Sequence, residues 1–281
     1  MALTTLIDTQ PLATRLADPA TVIVDCRFRL TEPGWGEGEY AKRHIPGAIY
    51  AHAERDLSGK VTGSNGRHPL PDAASLAQVL GRFGIDAGVQ VVAYDQDNGM
   101  FASRLWWLLR WLGHEAVAVL DGGFARWEAE RRRTTSGREV TPAREFSGLP
   151  RSHMTANASE VTSILRDPTR RLVDARSPER FRGENETIDK AAGHIPGAVN
   201  RFFQTNVGDG GRFRPADELR ASLSDTLGDV EPDRVVCYCG SGITACHNLL
   251  ALEHAGLGGA RLYPGSWSEW SSDPTRPVET K

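Results

Sequence analysis

The segment "VVCYCGSGITACHN", Val235–Asn248, sets a cysteine between an apolar run and a glycine-rich turn. Val235–Tyr238 reads as a buried strand, Gly240 and Gly242 as a turn, and the residues from Thr244 onward as a helix. A strand, a tight loop and a helix N-terminus turn backbone N–H groups inward, and such a nest holds an anion. Cys239 stands at the head of that nest, which favours the thiolate, the nucleophilic form of cysteine. Gly240 and Gly242 let the backbone curl. Ser241 and Thr244 offer hydroxyl donors, and Gly240, Gly242, Ile243 and Thr244 are the loop positions expected to meet a substrate.

Three other chemistries compete for this segment. A thiol packed at the end of a core strand is the ordinary fate of a free cysteine, and it is the reading preferred for Cys237 and Cys246. A metal site built from Cys237, Cys239, Cys246 and His247 lacks the paired spacing of structural zinc ligands, so no metal is expected. A cysteine phosphatase also holds an anion between strand and helix, but it needs an arginine where this loop has Ala245, and the loop itself carries no cation.

The elements that must position Cys239 are written twice. "VIVDCR" at Val22–Arg27 returns as "RLVDAR" at Arg171–Arg176, and "RHIPGAIY" at Arg43–Tyr50 as "GHIPGAVN" at Gly193–Asn200. "VVAYD" at Val91–Asp95 returns as "VVCYC" at Val235–Cys239, and "AVAVLDGGFARW" at Ala116–Trp127 more loosely as "GARLYPGSWSEW" at Gly259–Trp270. The order is kept and the offset is about 150 residues, which marks a duplicated domain rather than a short solenoid. The expected division is a first copy over residues 1–135, a linker over 136–155 and a second copy over 156–281.

Near-continuous apolar runs at Val22–Val24, Val89–Ala93 and Val117–Leu120 predict buried strands, and Ala74–Phe83 and Ser103–Leu112 predict helices between them. Strand, helix, strand implies an α/β fold: two tandem domains, each a mainly parallel sheet with helices on both faces, and chemistry at the strands' C-terminal ends. Cys239 lies at such an end, and its counterpart in the first copy is Asp95. Only the second copy is expected to be catalytic, with the first as a structural partner that walls the site. Asp25, Asp174, His44 and His194 occur in both copies, so structural roles are assigned to them, the two aspartates capping loop N–H groups.

The duplicated layout, the paired "HIPGA" segments, "DGG" in the first copy and "CGSGITA" in the second resemble the tandem-domain rhodanese-type sulfurtransferases from about Leu6 to Trp270. "CGSGITA" is most similar to the loop of the 3-mercaptopyruvate-using members; thiosulfate-preferring members usually carry two basic residues after the cysteine, where this chain has Gly240 and Ser241. The resemblance implies sulfur transfer through a persulfide on Cys239, from 3-mercaptopyruvate to cyanide, a thiol or thioredoxin, without a cofactor. The alternatives are a thiosulfate:cyanide sulfurtransferase and a rhodanese-like interaction module.

The same resemblance assigns supporting roles. Ser241 corresponds to a loop serine that relays a proton to the departing enolate, and His68, in "NGRHPLP", to a histidine near the site. The acid partner, counted from the first "HIPG", falls at Glu54, where the family usually has aspartate. Arg180 corresponds to an arginine that grips the donor carboxylate, a task suited to its planar fork. A second such arginine has no match; the segment offers Thr187 and Ile188 instead. Trp267 and Trp270 are expected in the core, Trp267 edging the site.

Composition narrows the partners. The 281 residues are 40% hydrophobic and 25% charged with a net charge of −3, which suits a packed soluble protein and offers no global field for nucleic acid or acidic membranes. Arg131–Arg133 reads as part of a solvated linker. No run approaches the roughly 18 apolar residues of a membrane span, and no secretory leader is visible at the N-terminus. Four cysteines are too few for a disulfide scaffold, so a cytoplasmic, reducing setting is expected.

Overall fold

A computed structural model describes residues 2–281. The chain forms two compact units: Met1–Ser58, Pro71–Arg151 and Gly208–Phe213 make the first, and Gly59–Leu70, Ser152–Val207 and Arg214–Lys281 the second.

The first unit is a five-stranded sheet, every pair parallel, in the order β1-β5-β4-β2-β3. Its strands are β1 (Leu6–Ile7), β2 (Thr21–Asp25), β3 (Ile49–Tyr50), β4 (Gln90–Tyr94) and β5 (Val117–Leu120). Its helices are α1 (Thr9–Ala13), α2 (Trp35–Lys42), α3 (Ala73–Arg82), α4 (Ala102–Trp111) and α5 (Gly123–Ala129). The second unit repeats the plan with four parallel strands in the order β7-β6-β8-β9: β6 (Arg171–Asp174), β7 (Val199–Asn200), β8 (Val235–Tyr238) and β9 (Arg261–Leu262). Its helices are α6 (Ala158–Ile164), α7 (Pro178–Arg182), α8 (Ala216–Leu227), α9 (Thr244–His254) and α10 (Ser266–Trp270). The predicted helices α3 and α4 each start and end one residue earlier than the periodicity places them, within ordinary end fraying.

Central strands are buried on both faces, which is why β4, β5 and β8 read as unbroken apolar runs. The two cores are built alike. Ile45, Tyr94, Phe124 and Trp127 pack in the first; Ile195, Tyr238, Trp267 and Trp270 pack in the second.

The repeated "VD-x-R" motif has the same structural role in both units. Asp25 accepts from the backbone N–H of Arg27 at 2.9 Å, from its guanidinium and from Tyr94 Oη at 2.7 Å. Asp174 does the same for Arg176, whose guanidinium also donates to Gly193 O at 2.7 Å. These are buried ion pairs reinforced by further hydrogen bonds, so removing one partner leaves an uncompensated charge at a cost of about 3–5 kcal/mol. The repeated histidines are structural as well: His44 stacks on Tyr40 and its Nδ1 meets Tyr40 O, while His194 stacks on Phe181 and meets Phe181 O.

Residues 130–151 contain no regular helix, yet they are tied to the first unit, with Thr135 paired to His44, and Arg144 N–H and Arg151 N–H donating to Gly81 O and Trp111 O. Among the described residues, no helix is long and apolar enough to cross a membrane.

Candidate active site

Cys239 follows directly on β8, and α9 begins five residues later at Thr244. Its side chain is buried, with 2% of the residue exposed. The loop closes on the sulfur: Gly242 N–H donates to Sγ at 3.1 Å. Gly242 has φ +81°, and a Cβ there would lie 2.5 Å from Pro264 O, so only glycine fits that turn.

The loop is clamped from below by the start of α10. Cys239 N–H donates to Ser266 Oγ at 3.1 Å, Trp267 N–H to Cys239 O and Ser268 N–H to Gly240 O, both at 2.9 Å. Ser266 adopts φ +53°, unusual for a non-glycine residue, and its hydroxyl also donates to Tyr263 O at 2.9 Å. That strained residue fixes the cysteine's own amide, a role that no sequence signal marks. Trp267 is fully buried beneath the loop, its indole N–H donating to Ala191 O.

Ser241 Oγ meets His68 Nδ1 at 2.7 Å, with both residues buried. The pair is 173 positions apart in sequence but lies inside one unit, because Gly59–Leu70 packs with the second unit.

Gly240 differs from the expectation that it serves the turn. It is absent from the glycines with positive φ; what it supplies is room. A Cβ there would lie 2.9 Å from Arg67 Nη2 and 3.5 Å from both terminal nitrogens of Arg180. The loop has no cation of its own, yet two guanidiniums reach it from outside. Arg180, on α7, donates to Glu186 from Nε at 3.1 Å and to Asp189 from Nη2 at 3.0 Å. Arg67 pairs with the other oxygen of Asp189. Burial lowers the Arg67 pKa, and Arg180 lowers it further, against the pull of Cys239.

Sequence reasoning misses Arg67, Glu186 and Asp189, because each stands close to a more visible motif. Arg67 precedes His68 in "GRHPLP", and that adjacency is the available signal. Ile243 is buried and Thr244 half-buried at the first turn of α9. Glu54 lies in the first unit, exposed on the turn after β3, where its backbone N–H donates to His52 Nδ1.

The other cysteines are packed. Cys26, Cys237 and Cys246 are buried, and burial pushes the Cys26 and Cys237 thiols well up. Cys246 Sγ donates to Gly242 O at 3.3 Å. A cavity of about 1030 Å³ in the second unit is lined by Asn157, Glu160, Arg261, Tyr263 and Glu269, without Cys239, so cavity size does not mark the reactive centre.

Asp95, at the first unit's equivalent strand end, shows what the same loop does without a thiol. Its carboxylate accepts the N–H groups of Gly99 at 2.9 Å, Phe101 at 2.7 Å and Ala102 at 3.1 Å. The anion nest is there filled by the protein's own side chain.

The sequence profile of the rhodanese-like domain matches this chain twice, over residues 8–130 and 157–273. A Pseudomonas aeruginosa protein named a probable 3-mercaptopyruvate sulfurtransferase is 48% identical over 98% of both chains. The Mycobacterium tuberculosis protein SseB, provisionally named a thiosulfate sulfurtransferase, is 41% identical over 93% of this chain and 91% of its own. Among solved structures, the 3-mercaptopyruvate sulfurtransferase of Leishmania major superposes with a TM-score of 0.84 at 33% identity, covering 95% of this chain and 74% of that one. With its two parallel sheets and its cysteine loop at the end of β8, the chain belongs to the rhodanese-like domain family and carries that domain twice.

Proposed function

We propose that this protein is a sulfurtransferase that takes sulfur from 3-mercaptopyruvate onto Cys239 and passes it to cyanide or a thiol acceptor. The observation that carries the reading is the Cys239 loop: a buried sulfur held by the Gly242 amide, faced by two guanidiniums, beside a Ser241–His68 pair. In the division proposed, residues 1–135 form the copy without the thiol, 136–155 the connection and 156–281 the copy that carries the chemistry.

In the first half-reaction the Cys239 thiolate attacks the donor's thiol sulfur. The S–S bond forms, the donor's C–S bond breaks, and its electron pair leaves on carbon as the pyruvate enolate. The proton of the donor thiol is transferred through Ser241, hydrogen-bonded to His68, to the enolate carbon. Pyruvate departs and Cys239 is left as a persulfide anion, which the loop amides and α9 N-terminus are suited to hold. In the second half-reaction cyanide or a thiolate, that of thioredoxin included, attacks the outer sulfur and returns the Cys239 thiolate. Arg180 binds the donor carboxylate. Gly240, Gly242, Ile243 and Thr244 line the reacting sulfur. No cofactor enters this scheme, and a cytoplasmic location suits a reaction that depends on a free thiol.

A second donor has specific support. More than one relative of this chain is named a thiosulfate sulfurtransferase. Steady-state rates with both donors on one preparation separate the readings. Higher kcat/KM with mercaptopyruvate supports the first, and Arg180→Ala is expected to lower it by about 10- to 100-fold, the worth of a charged hydrogen bond. Equal or better use of thiosulfate contradicts it. Persulfide formation with neither donor favours an interaction module.

A further inference from the structure

Arg67 and Arg180 converge on Gly240, the residue that follows the nucleophile, from two separate segments of the second unit. Arg67 is not a loosely solvated side chain. Its backbone N–H donates to Ser268 Oγ at 3.1 Å, and the Ser268 N–H in turn donates to Gly240 O. Gly66 before it has φ +82° and lies against Gly265 O, and His68 after it is bonded to Ser241. The backbone that carries the side chain is thus held on both sides within the site.

One carboxylate joins the two cations. Asp189, with 4% of its side chain exposed, gives one oxygen to Arg67 and the other to Arg180. Glu186, 2% exposed, takes Arg180 through two bonds and also faces Arg176 at 3.4 Å. Arg176 already has Asp174. The charge facing the sulfur is therefore two guanidiniums against two buried carboxylates, close to neutral before any donor arrives. A small cavity of about 190 Å³, lined by Arg67, Asp189, Lys190 and Ser268 among others, borders this cluster.

That balance has a consequence for the donor. A single carboxylate can take over part of what Asp189 offers to the two guanidiniums. A dianion brings a second charge to guanidiniums already matched by Asp189 and Glu186, with only the exposed Lys190 of the neighbouring cavity beyond them, beside a sulfur that must itself be anionic to react. We propose that Arg67 is a second donor-binding residue, and that Asp189 is a positioning residue which bridges Arg67 to Arg180 and matches the pair to a donor with one carboxylate rather than to a dianion. The inference rests on the sulfurtransferase reading. It places the second guanidinium of the donor site on the segment before His68, since the α7–β7 connection has Thr187 and Ile188 and, as its cation, the exposed Lys190.

The test uses the full chain as parent, Arg67→Gln and Asp189→Asn, with folding checked by circular dichroism. Kinetics are run with mercaptopyruvate and with thiosulfate. For Asp189→Asn the ratio of kcat/KM for thiosulfate to that for mercaptopyruvate is expected to rise by about tenfold or more. For Arg67→Gln the KM for mercaptopyruvate is expected to rise by about tenfold while kcat changes less. A ratio unchanged within about twofold in Asp189→Asn, or a parallel loss with both donors, overturns the charge-matching role. An unchanged KM in Arg67→Gln overturns donor binding by Arg67. A second readout needs no turnover: protection of Cys239 from iodoacetamide by pyruvate and by sulfate. Asp189→Asn is expected to gain protection by sulfate relative to pyruvate. If the parent does not turn mercaptopyruvate over, the functional reading fails, and the charge-matching role is then upheld or overturned by the protection ratio alone.

Discussion

His68 Nδ1 lies 2.7 Å from Ser241 Oγ, with both side chains buried at the mouth of the Cys239 loop. A hydroxyl so held can pass a proton only in concert with the imidazole, and a proton is needed only when the leaving group is a carbanion equivalent. Ser241→Ala and His68→Gln are therefore expected to lower kcat with mercaptopyruvate by about 100-fold, the usual worth of a positioned acid–base pair. Thiosulfate, whose sulfite leaves as a stable anion, is expected to lose far less. Equal losses with both donors, measured side by side, contradict the relay.

The two loop glycines separate by mechanism. Gly242 sits at φ +81° with Pro264 O 2.5 Å from where a Cβ would be, and neither can give way cheaply. Gly242→Ala is expected to cost roughly 1–3 kcal/mol of stability and most of the activity. At Gly240 the obstacle is a side-chain end, the guanidinium of Arg67, 2.9 Å from the added carbon, rather than backbone. Gly240→Ala is expected to keep the parent's denaturation midpoint and to lose donor use. A destabilised Gly240→Ala with an unaffected Gly242→Ala contradicts this placement of the loop.

Much of this is legible in the chain. The repeat names the equivalent strand ends, unbroken apolar runs mark β4, β5 and β8, and the Cys-Gly-Ser-Gly turn marks the nucleophile. What is hidden depends on separations that a local pattern does not carry. Arg67 and Asp189 are 122 positions apart and meet because Gly59–Leu70 packs with the second unit. Gly240 looks like a turn glycine because its purpose, space for two guanidiniums, is visible only once they are in place. Ser266 has an ordinary identity and an unusual φ, which composition does not reveal.

Asp95 yields a pH prediction. Burial pushes it up to about 6 from 3.8, against the pull of the loop amides. A carboxyl raised in the folded state binds its proton more tightly when folded than when unfolded. Its contribution to stability is therefore most favourable below about pH 4 and declines as pH rises through about 6. Denaturant titrations of the parent and of Asp95→Asn from acid to neutral pH are expected to differ by an amount that changes across this window. A difference independent of pH contradicts the shift.

The buried thiols are expected to be bystanders. Cys26→Ser, Cys237→Ser and Cys246→Ser should each retain sulfur transfer, since these side chains are packed away from solvent and burial raises the first two. Loss of turnover in a variant that remains folded would assign one of them a chemical role.

The central claim is that Cys239 carries the sulfur. Full-length protein incubated with mercaptopyruvate, without acceptor, and digested under non-reducing conditions is expected to show a gain of about 32 Da, one sulfur atom, on the peptide that contains Cys239. The gain should disappear on adding cyanide and be absent from Cys239→Ser. A gain on another cysteine peptide, or sustained turnover by folded Cys239→Ser, would contradict the account.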